Sequence, residues 1–252
     1  MRKVRIEILD LAEVDSTNRY AVGNFEALED GTLVVSDFQS AGKGRLGRCW
    51  QSPPGVNIYA TLVMKRIVQP FYATIACSLS VLELLQNQLP RESFFIKWPN
   101  DIYVDGCKIA GILCEGVASS GTLQGVAAGM GININMERTL LDRIGQRAAS
   151  LKSLSQKDFN VKELVRQLGK LLEKYYTLYL KEPEKLFAEW KEHNWIIGRR
   201  ITLSDLSGAG KVLLVRDIAV TGEILGEDSD GNVCRYHCGD VTLHKESFQQ
   251  GF

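Results

Sequence analysis

The stretch AGKGRLGRCW, residues 41–50, decides between two folds. Gly42-Lys43-Gly44-Arg45-Leu46-Gly47 satisfies G-x-G-x-x-G, the fingerprint of a doubly wound, dinucleotide-binding α/β fold. That motif works because a helix starts at the glycines and its N-terminal N–H groups hold a pyrophosphate. Here the glycines lead into Cys49-Trp50-Gln51-Ser52-Pro53-Pro54-Gly55 and then the apolar run VNIYATLVMK, residues 56–65. Two consecutive prolines remove two backbone donors and disfavour a helix. The run that follows reads as a strand. The motif also needs an acid about twenty residues on, for the ribose hydroxyls. The first acid after Gly47 is Glu83. The fingerprint fails both tests. What the loop carries in excess is positive charge: Lys43, Arg45 and Arg48, with no acid among them. Glycines permit motion and close approach, and arginine supplies forked donors. The pattern suits a flap over an anionic ligand; taken alone it suits a solvated basic turn equally well.

Outward from the loop, strands dominate. VRIEIL (4–9) alternates, TLVVSD (32–37) is β-rich, and FFIKW, DIYV and KIAGILCEGV (94–117) are short strands around an Asp105-Gly106 turn. TLQGVAAGMGININ (122–135) is a glycine-laced strand. Asp15-Ser16-Thr17-Asn18 offers capping side chains for a helix over RYAVGNFEAL. Residues 71–89 read as a buried helix stopped by Pro90. Two amphipathic helices follow residue 135, the longer carrying Val161, Leu164, Val165, Leu168, Leu171, Leu172, Tyr175 and Tyr179 at helical spacing. From Trp195 the texture changes to short strands separated by Ser-Gly, Thr-Gly, Asp-Gly and Gly-Asp turns. Residues 195–252 therefore read as a small β-barrel or sandwich, with a domain boundary near 194 and a first domain over 1–194.

Thirty Lys and Arg balance thirty Asp and Glu in 252 residues, so no basic excess points to nucleic acid. MRKVRIEILD alternates rather than entering an apolar core, and no apolar run is long enough to span a bilayer. Six scattered cysteines (49, 77, 107, 114, 234 and 238) fit reduced thiols and a cytoplasmic location. Cys234, His237 and Cys238 lack a second ligand pair nearby and read as strand residues rather than a zinc site.

Two further clusters carry chemistry. Lys97-Trp98-Pro99-Asn100-Asp101 packs a cation, an aromatic, an amide and a carboxylate between two strands, with Lys108 on the next. Gly129-Met130-Gly131-Ile132-Asn133-Ile134-Asn135 puts Asn133 and Asn135 on one side of a strand whose glycines mark a close approach. Singly, each reads as well as a surface charge, a turn residue or a strand end.

Together these segments resemble the biotin protein ligases. The resemblance runs in order through Asp15-Ser16-Thr17-Asn18, Gln39, the 42–48 loop with Trp50, the Lys97–Asp101 run, Lys108 with Ala110-Gly111-Ile112-Leu113, Gly131-Ile132-Asn133, Ser150-Leu151 and Gly239-Asp240-Val241-Thr242-Leu243. It implies an α+β fold, a mixed sheet flanked by helices with a small C-terminal β-barrel. It also implies ATP-dependent formation of biotinyl-5'-AMP, then transfer to a lysine of a biotin carboxyl carrier protein domain. Biotin would meet Ser16, Thr17, Asn18, Gln39, Gly42, Lys43, Gly44, Arg45, Lys108 and Gly111. The nucleotide would meet Arg45, Arg48, Trp50, Lys97, Asn100 and Asn133. Lys108 and Arg45 would be catalytic, and Asp101 a candidate for Mg²⁺ or for orienting Lys97. Lys43 and Leu46 depart from the arginines usual in this loop; lysine keeps charge but loses the fork. Ser16 lies too early to leave room for the DNA-binding domain some members carry. A homodimer is left open. Lipoate ligation and a non-catalytic biotin-binding module are the competing readings. The fixed cations argue against the second, since binding a neutral ureido group does not require them.

Overall fold

The computed structural model describes residues 4–67, 69–204, 210–236 and 240–243. Seven strands are β1 (Glu7–Val14), β2 (Thr32–Gln39), β3 (Ile58–Met64), β4 (Phe95–Lys97), β5 (Asp101–Val104), β6 (Cys107–Ser119) and β7 (Thr122–Ile132). They form one mixed sheet in the order β1-β2-β3-β7-β6-β5-β4, with β1 and β2 parallel and the other pairs antiparallel. The parallel pair is joined through helix α1 (Thr17–Gly23), as a crossover requires. β1 starts later and runs further than VRIEIL. Its limits follow the pairing from Glu7↔Thr32 to Val14↔Gln39, which alternation within one strand does not encode. α1 also stops short of Leu28, because Asn24 turns the chain and its amide caps the Tyr20 carbonyl at 2.8 Å.

β3 sits centrally and every residue in it is buried, which explains its unbroken apolar run. One face of the sheet packs on helices α2 (Pro70–Gln88), α5 (Val161–Lys181) and α6 (Pro183–Glu192) and holds the main core. Pro70 occupies the first turn of α2, where its missing N–H costs nothing. The α5 stripe turns inward as its spacing requires, with Leu164, Leu168, Leu172 and Tyr175 buried. The Tyr175 hydroxyl lies 2.7 Å from carboxylate oxygens of both Glu83 on α2 and Glu189 on α6, its one proton serving either, so that the three helices meet at this ring. Burial first, and then those carboxylates, push its phenol pKa up. Two short helices, α3 (Arg138–Leu141) and α4 (Leu151–Ser155), lie where the sequence shows no sustained period.

The opposite face carries a smaller cluster in which Ala21 and Phe25 cover Val34, Val63 and Ala127. Helix α1 covers only part of that face. The remainder is where the polar residues converge.

The small barrel expected at the C-terminus is a five-stranded antiparallel sheet of β8 (Arg200–Ser204), β9 (Gly210–Ile218), β10 (Ile224–Glu227), β11 (Val233–Tyr236) and β12 (Asp240–Leu243), ordered β11-β10-β9-β8-β12. Cys234 is exposed on β11, and His237, Cys238 and Gly239 lie outside the described residues. Ile201, Leu213, Val215 and Ile224 join the main core. Trp98, from the Lys97–Asp101 run, donates its indole N–H to the Gly222 carbonyl at 2.9 Å and so links the two sheets. Trp98→Phe would strand that buried acceptor at a cost of about 1–3 kcal/mol. The expected outcome is a fall in Tm of about 2–4 °C per kcal/mol, read by thermal melting. An unchanged Tm would remove the bond from the stability of the fold.

Candidate active site

Strand glycines open the site. The pairings Thr61↔Gly129↔Leu113 and Tyr59↔Gly131↔Gly111 set these residues on one face across β3, β7 and β6. A Cβ at Gly129 would lie 2.0 Å from Asn18 Oδ1, and one at Gly131 would lie 2.3 Å from Trp50 Cε2. The trough left by these glycines is filled by side chains from α1 and from the loop after β2. Gly129→Ala is accordingly expected to cost about 1–3 kcal/mol by overpacking. Adding Asn18→Ala should recover part of that loss. Melting of the single and double variants checks it, and additive losses would refute the steric coupling.

The start of α1 supplies a polar floor. Ser16 is the N-cap, accepting from the Arg19 N–H, and Ser16, Thr17 and Asn18 are all buried. The Thr17 N–H donates to Gln39 Oε1 at 2.9 Å, and Gln39 Nε2 donates to Ser52 Oγ at 3.0 Å. Thr61 Oγ1 lies 2.8 Å from Thr17 Oγ1 and 2.7 Å from Asn18 Oδ1. Five polar side chains, from α1, β2, β3 and the loop between β2 and β3, are thereby locked before any ligand arrives, which is what orientation-specific recognition needs.

The 42–50 loop closes on itself as a hairpin. The Trp50 N–H donates to the Gly42 carbonyl at 2.9 Å and the Gly44 N–H to the Arg48 carbonyl at 2.7 Å, around a single tight turn at Arg45–Gly47. Leu46 at its tip has φ 54°, a left-handed conformation that costs a side-chain-bearing residue about 1–2 kcal/mol. Leu46 points outward, 57% exposed. Arg45 points inward and donates to Asn100 Oδ1 at 3.0 Å, while Asn100 is itself pinned by donating to the Ile112 carbonyl at 2.6 Å.

Lys108 Nζ stands 2.8 Å from Asp101 Oδ1, with both side chains mostly buried, and 5.5 Å from the centre of the Trp50 ring. This corrects one expectation: Asp101 orients Lys108, not Lys97. Lys97 lies 4.9 Å from the Tyr103 ring on the edge strand β4, and the cleft lining does not include it. Its cross-strand partner is Asp101 itself, so Lys97 borders the cleft from the edge strand without lining it.

The cleft bounded by these groups holds a cavity of about 110 Å³. Ser16, Thr17, Asn18, Gln39, Lys43, Gly44, Arg45, Arg48, Trp50, Asn100, Asp101, Lys108 and Gly111 all line it. A smaller cavity adjoins it, where Asn133, Ile144, Gln146 and Ala148 meet Trp50 and Lys108. Asn133 is held by donating to the Ala149 carbonyl at 3.0 Å. Gly42 lies behind the loop, where a Cβ would come 2.6 Å from Ser52 Oγ.

Comparison with known proteins agrees with this layout. Residues 11–133 match the model of the biotin/lipoate A/B protein ligase family. The bifunctional ligase/repressor BirA of Salmonella typhimurium is 31% identical over 243 residues, covering 92% of this chain and 73% of that protein. The chain belongs to the biotin/lipoate A/B protein ligase family. A biotin–[acetyl-CoA-carboxylase] ligase of Mycobacterium tuberculosis is 27% identical over 219 residues, covering 84% of this chain and 79% of that one. Among solved structures, the biotin protein ligase of Aquifex aeolicus in complex with biotin and ATP superposes with a TM-score of 0.79 at 25% identity, covering 94% of this chain and 98% of that one. Within the family this chain is a ligase of the biotin protein ligase group.

Several site residues of this ligase escaped the sequence reading. Thr61 looked like an ordinary strand threonine, and Ser52 like part of a proline-rich turn. Ile144 and Gln146 sit in an aperiodic segment. Only their place in space marks them, Thr61 and Ser52 buried behind the site and Ile144 and Gln146 lining the smaller cavity, and no spacing rule announces that. As for metal, no group of three or more His, Cys, Asp or Glu side chains converges among the described residues. Asp101 is the carboxylate in the cleft lining. That donor set suits Mg²⁺ carried in on phosphate oxygens, not a cage made by the protein.

Proposed function

We propose that the cleft joins biotin to ATP, giving biotinyl-5'-AMP and pyrophosphate, and then passes the biotinyl group to a lysine of a biotin carboxyl carrier protein domain. The observation that carries this reading is the position of Lys108. It lines both the polar cleft and the smaller cavity, is oriented by Asp101, and lies against Trp50. A carboxylate in the first space and a nucleotide base in the second would place the reacting carboxylate and α-phosphate on either side of this ammonium.

The chemistry explains the residues present. Joining an anion to a polyanion needs fixed cations more than a general acid or base. Lys108 balances the carboxylate and α-phosphate, while Arg45 and Arg48 face the phosphates from the loop. Asn133, Trp50, Ile144 and Gln146 enclose the base. Mg²⁺, when bound, would screen phosphate charge, and Asp101 is the cleft-lining carboxylate that could hold it. Ser16, Thr17, Asn18 and Gln39 orient the ring end of biotin, and Gly111 lets Lys108 lie flat, since a Cβ there would sit 3.1 Å from Nζ. In the second step the acceptor lysine, as free amine, attacks the acyl carbon of the mixed anhydride, and AMP leaves with the electron pair. The loop's part is to exclude water from an intermediate that water would hydrolyse.

A transferase with a cysteine nucleophile fits less well. Cys49 is in the cleft lining, but its Sγ contacts the Trp50 carbonyl at 3.8 Å and no histidine among the described residues lines the cleft to activate it. Cys77 and Cys114 lie behind the sheet, where burial pushes the Cys114 thiol pKa up to about 12 and that of Cys77 well above its usual value. The deciding experiment is biotin-dependent exchange of labelled pyrophosphate into ATP, with lipoate as control. Exchange with biotin alone supports the proposal, and exchange with lipoate alone replaces it with lipoate ligation.

A further inference from the structure

We propose that Glu115, which does not line the cleft, sets the hydrogen-bond polarity of the cleft floor through a relay of three side chains, and so is a specificity-determining positioning residue. The inference rests on reading the cleft as a biotin site.

The argument follows the protons. Asn18 Nδ2 contacts Glu115 Oε2 at 2.7 Å and the Leu113 carbonyl at 3.0 Å. Both partners only accept, so they take both amide hydrogens and force Asn18 Oδ1 to the other side. That oxygen has no hydrogen of its own. Its 2.7 Å contact with Thr61 Oγ1 therefore uses the single hydroxyl proton of Thr61. Thr61 has nothing left to donate to Thr17 Oγ1, 2.8 Å away, so Thr17 must be the donor in that pair. The hydroxyl of Thr17 is left with lone pairs and no proton for the cleft. Gln39 Oε1 lies 3.2 Å from the same Thr17 hydroxyl; with that proton committed to the closer Thr61 oxygen it accepts only the Thr17 N–H and stays open to the cleft.

The floor thus accepts, and its preferred ligand group is an N–H donor such as a ring N–H of a cyclic urea. Glu115 is the charged end of the relay and its strongest anchor on the amide. The other geometric restraint is Gly129, whose missing Cβ leaves Asn18 Oδ1 its place. With the carboxylate gone, the Leu113 carbonyl alone resists a flip of the Asn18 amide. A flipped amide would turn Thr61 around, and Thr17 would then give its proton to Gln39 Oε1, 3.2 Å away, closing that acceptor to the ligand's N–H.

The experiment uses the full chain as wild type, Glu115→Ala, Glu115→Gln and Thr61→Val. Biotin and an analogue methylated on a ureido nitrogen are compared by calorimetry and by the KM and kcat of pyrophosphate exchange. Glu115→Ala is expected to raise the biotin KM about tenfold, the scale of one lost charge-assisted hydrogen bond. The kcat at saturating biotin should stay within about twofold. The preference for biotin over the methylated analogue should shrink by a similar factor. Glu115→Gln, which keeps an acceptor oxygen, should recover most of the affinity. Thr61→Val, which breaks the relay at its middle, should lose the same preference even if Glu115→Ala fails to fold. Unchanged preference in both variants, or equal loss in kcat and KM, overturns the relay. A wild type that does not bind biotin overturns the reading of the cleft itself, which the wild-type titration alone reveals.

Discussion

Lys108→Met is expected to abolish adenylate formation while the protein stays folded. Among the described residues the lysine is the one cation that lines both cavities, and it is held in place by Asp101 at 2.8 Å. A methionine preserves much of the stem that packs against Trp50 but removes the charge. Loss of one oriented donor at a site of developing charge lowers kcat by about 10²–10³, and a full charge facing two anions belongs at or above that range. Removing it also leaves the Asp101 carboxylate unpaired in a mostly buried position, so a modest loss of stability accompanies the loss of rate. The double variant Lys108→Met/Asp101→Asn separates the two: stability should return and activity should not. Pyrophosphate exchange and thermal melting on the same preparations decide. Near-normal exchange by Lys108→Met would falsify the assignment.

Arg45→Gly is expected to uncouple the two half-reactions. Arg45 is the loop's link to the cleft wall, through Asn100 and the Ile112 carbonyl. Without it the hairpin keeps its own backbone bonds but loses this anchor to the turn between β4 and β5, and glycine adds freedom at the loop tip. The biotin recognition proposed for Ser16, Thr17 and Gln39 does not pass through this contact and should be weakened far less. The intermediate should then escape before the acceptor arrives and label lysines on bystander proteins. Losing a hydrogen bond to a charged group corresponds to about 1.5–3 kcal/mol, or roughly ten- to a hundredfold faster escape. Incubating each enzyme with biotin, ATP and an unrelated lysine-rich protein, then probing for biotin, measures the leak. Limited proteolysis with and without ligand reports loop closure. Equal bystander labelling and equal cleavage would return the loop to an ordinary basic turn.

Much of this ligase is written locally. The failure of G-x-G-x-x-G to behave as a dinucleotide fingerprint follows from Pro53-Pro54 and the missing acid. The α5 stripe, the Ser16 cap, the buried run of β3 and the Asp105-Gly106 turn are short-range properties of backbone and side chain, so spacing finds them. Most of the cleft lining was legible too, because Ser16, Thr17, Lys108 and the loop cations carry unusual chemistry in compact segments.

What the sequence by itself determined was which residues form strands and helices, and which polar residues are too costly to bury without purpose. Tertiary structure alone decided who meets whom. Lys97 and Lys108 are equal candidates in one dimension. Strand order puts Lys97 on the edge with Tyr103 and brings Lys108 beside Asp101 and Trp50. Gly129 and Gly131 read only as close approaches until α1 and the loop supplied Asn18 and Trp50 to fill them. Thr61 and Glu115, separated in sequence, became one relay through Asn18. The reason is physical: propensity and period act over a few residues, whereas register between distant strands fixes each cross-sheet contact, and in this protein the site is made almost entirely of such contacts.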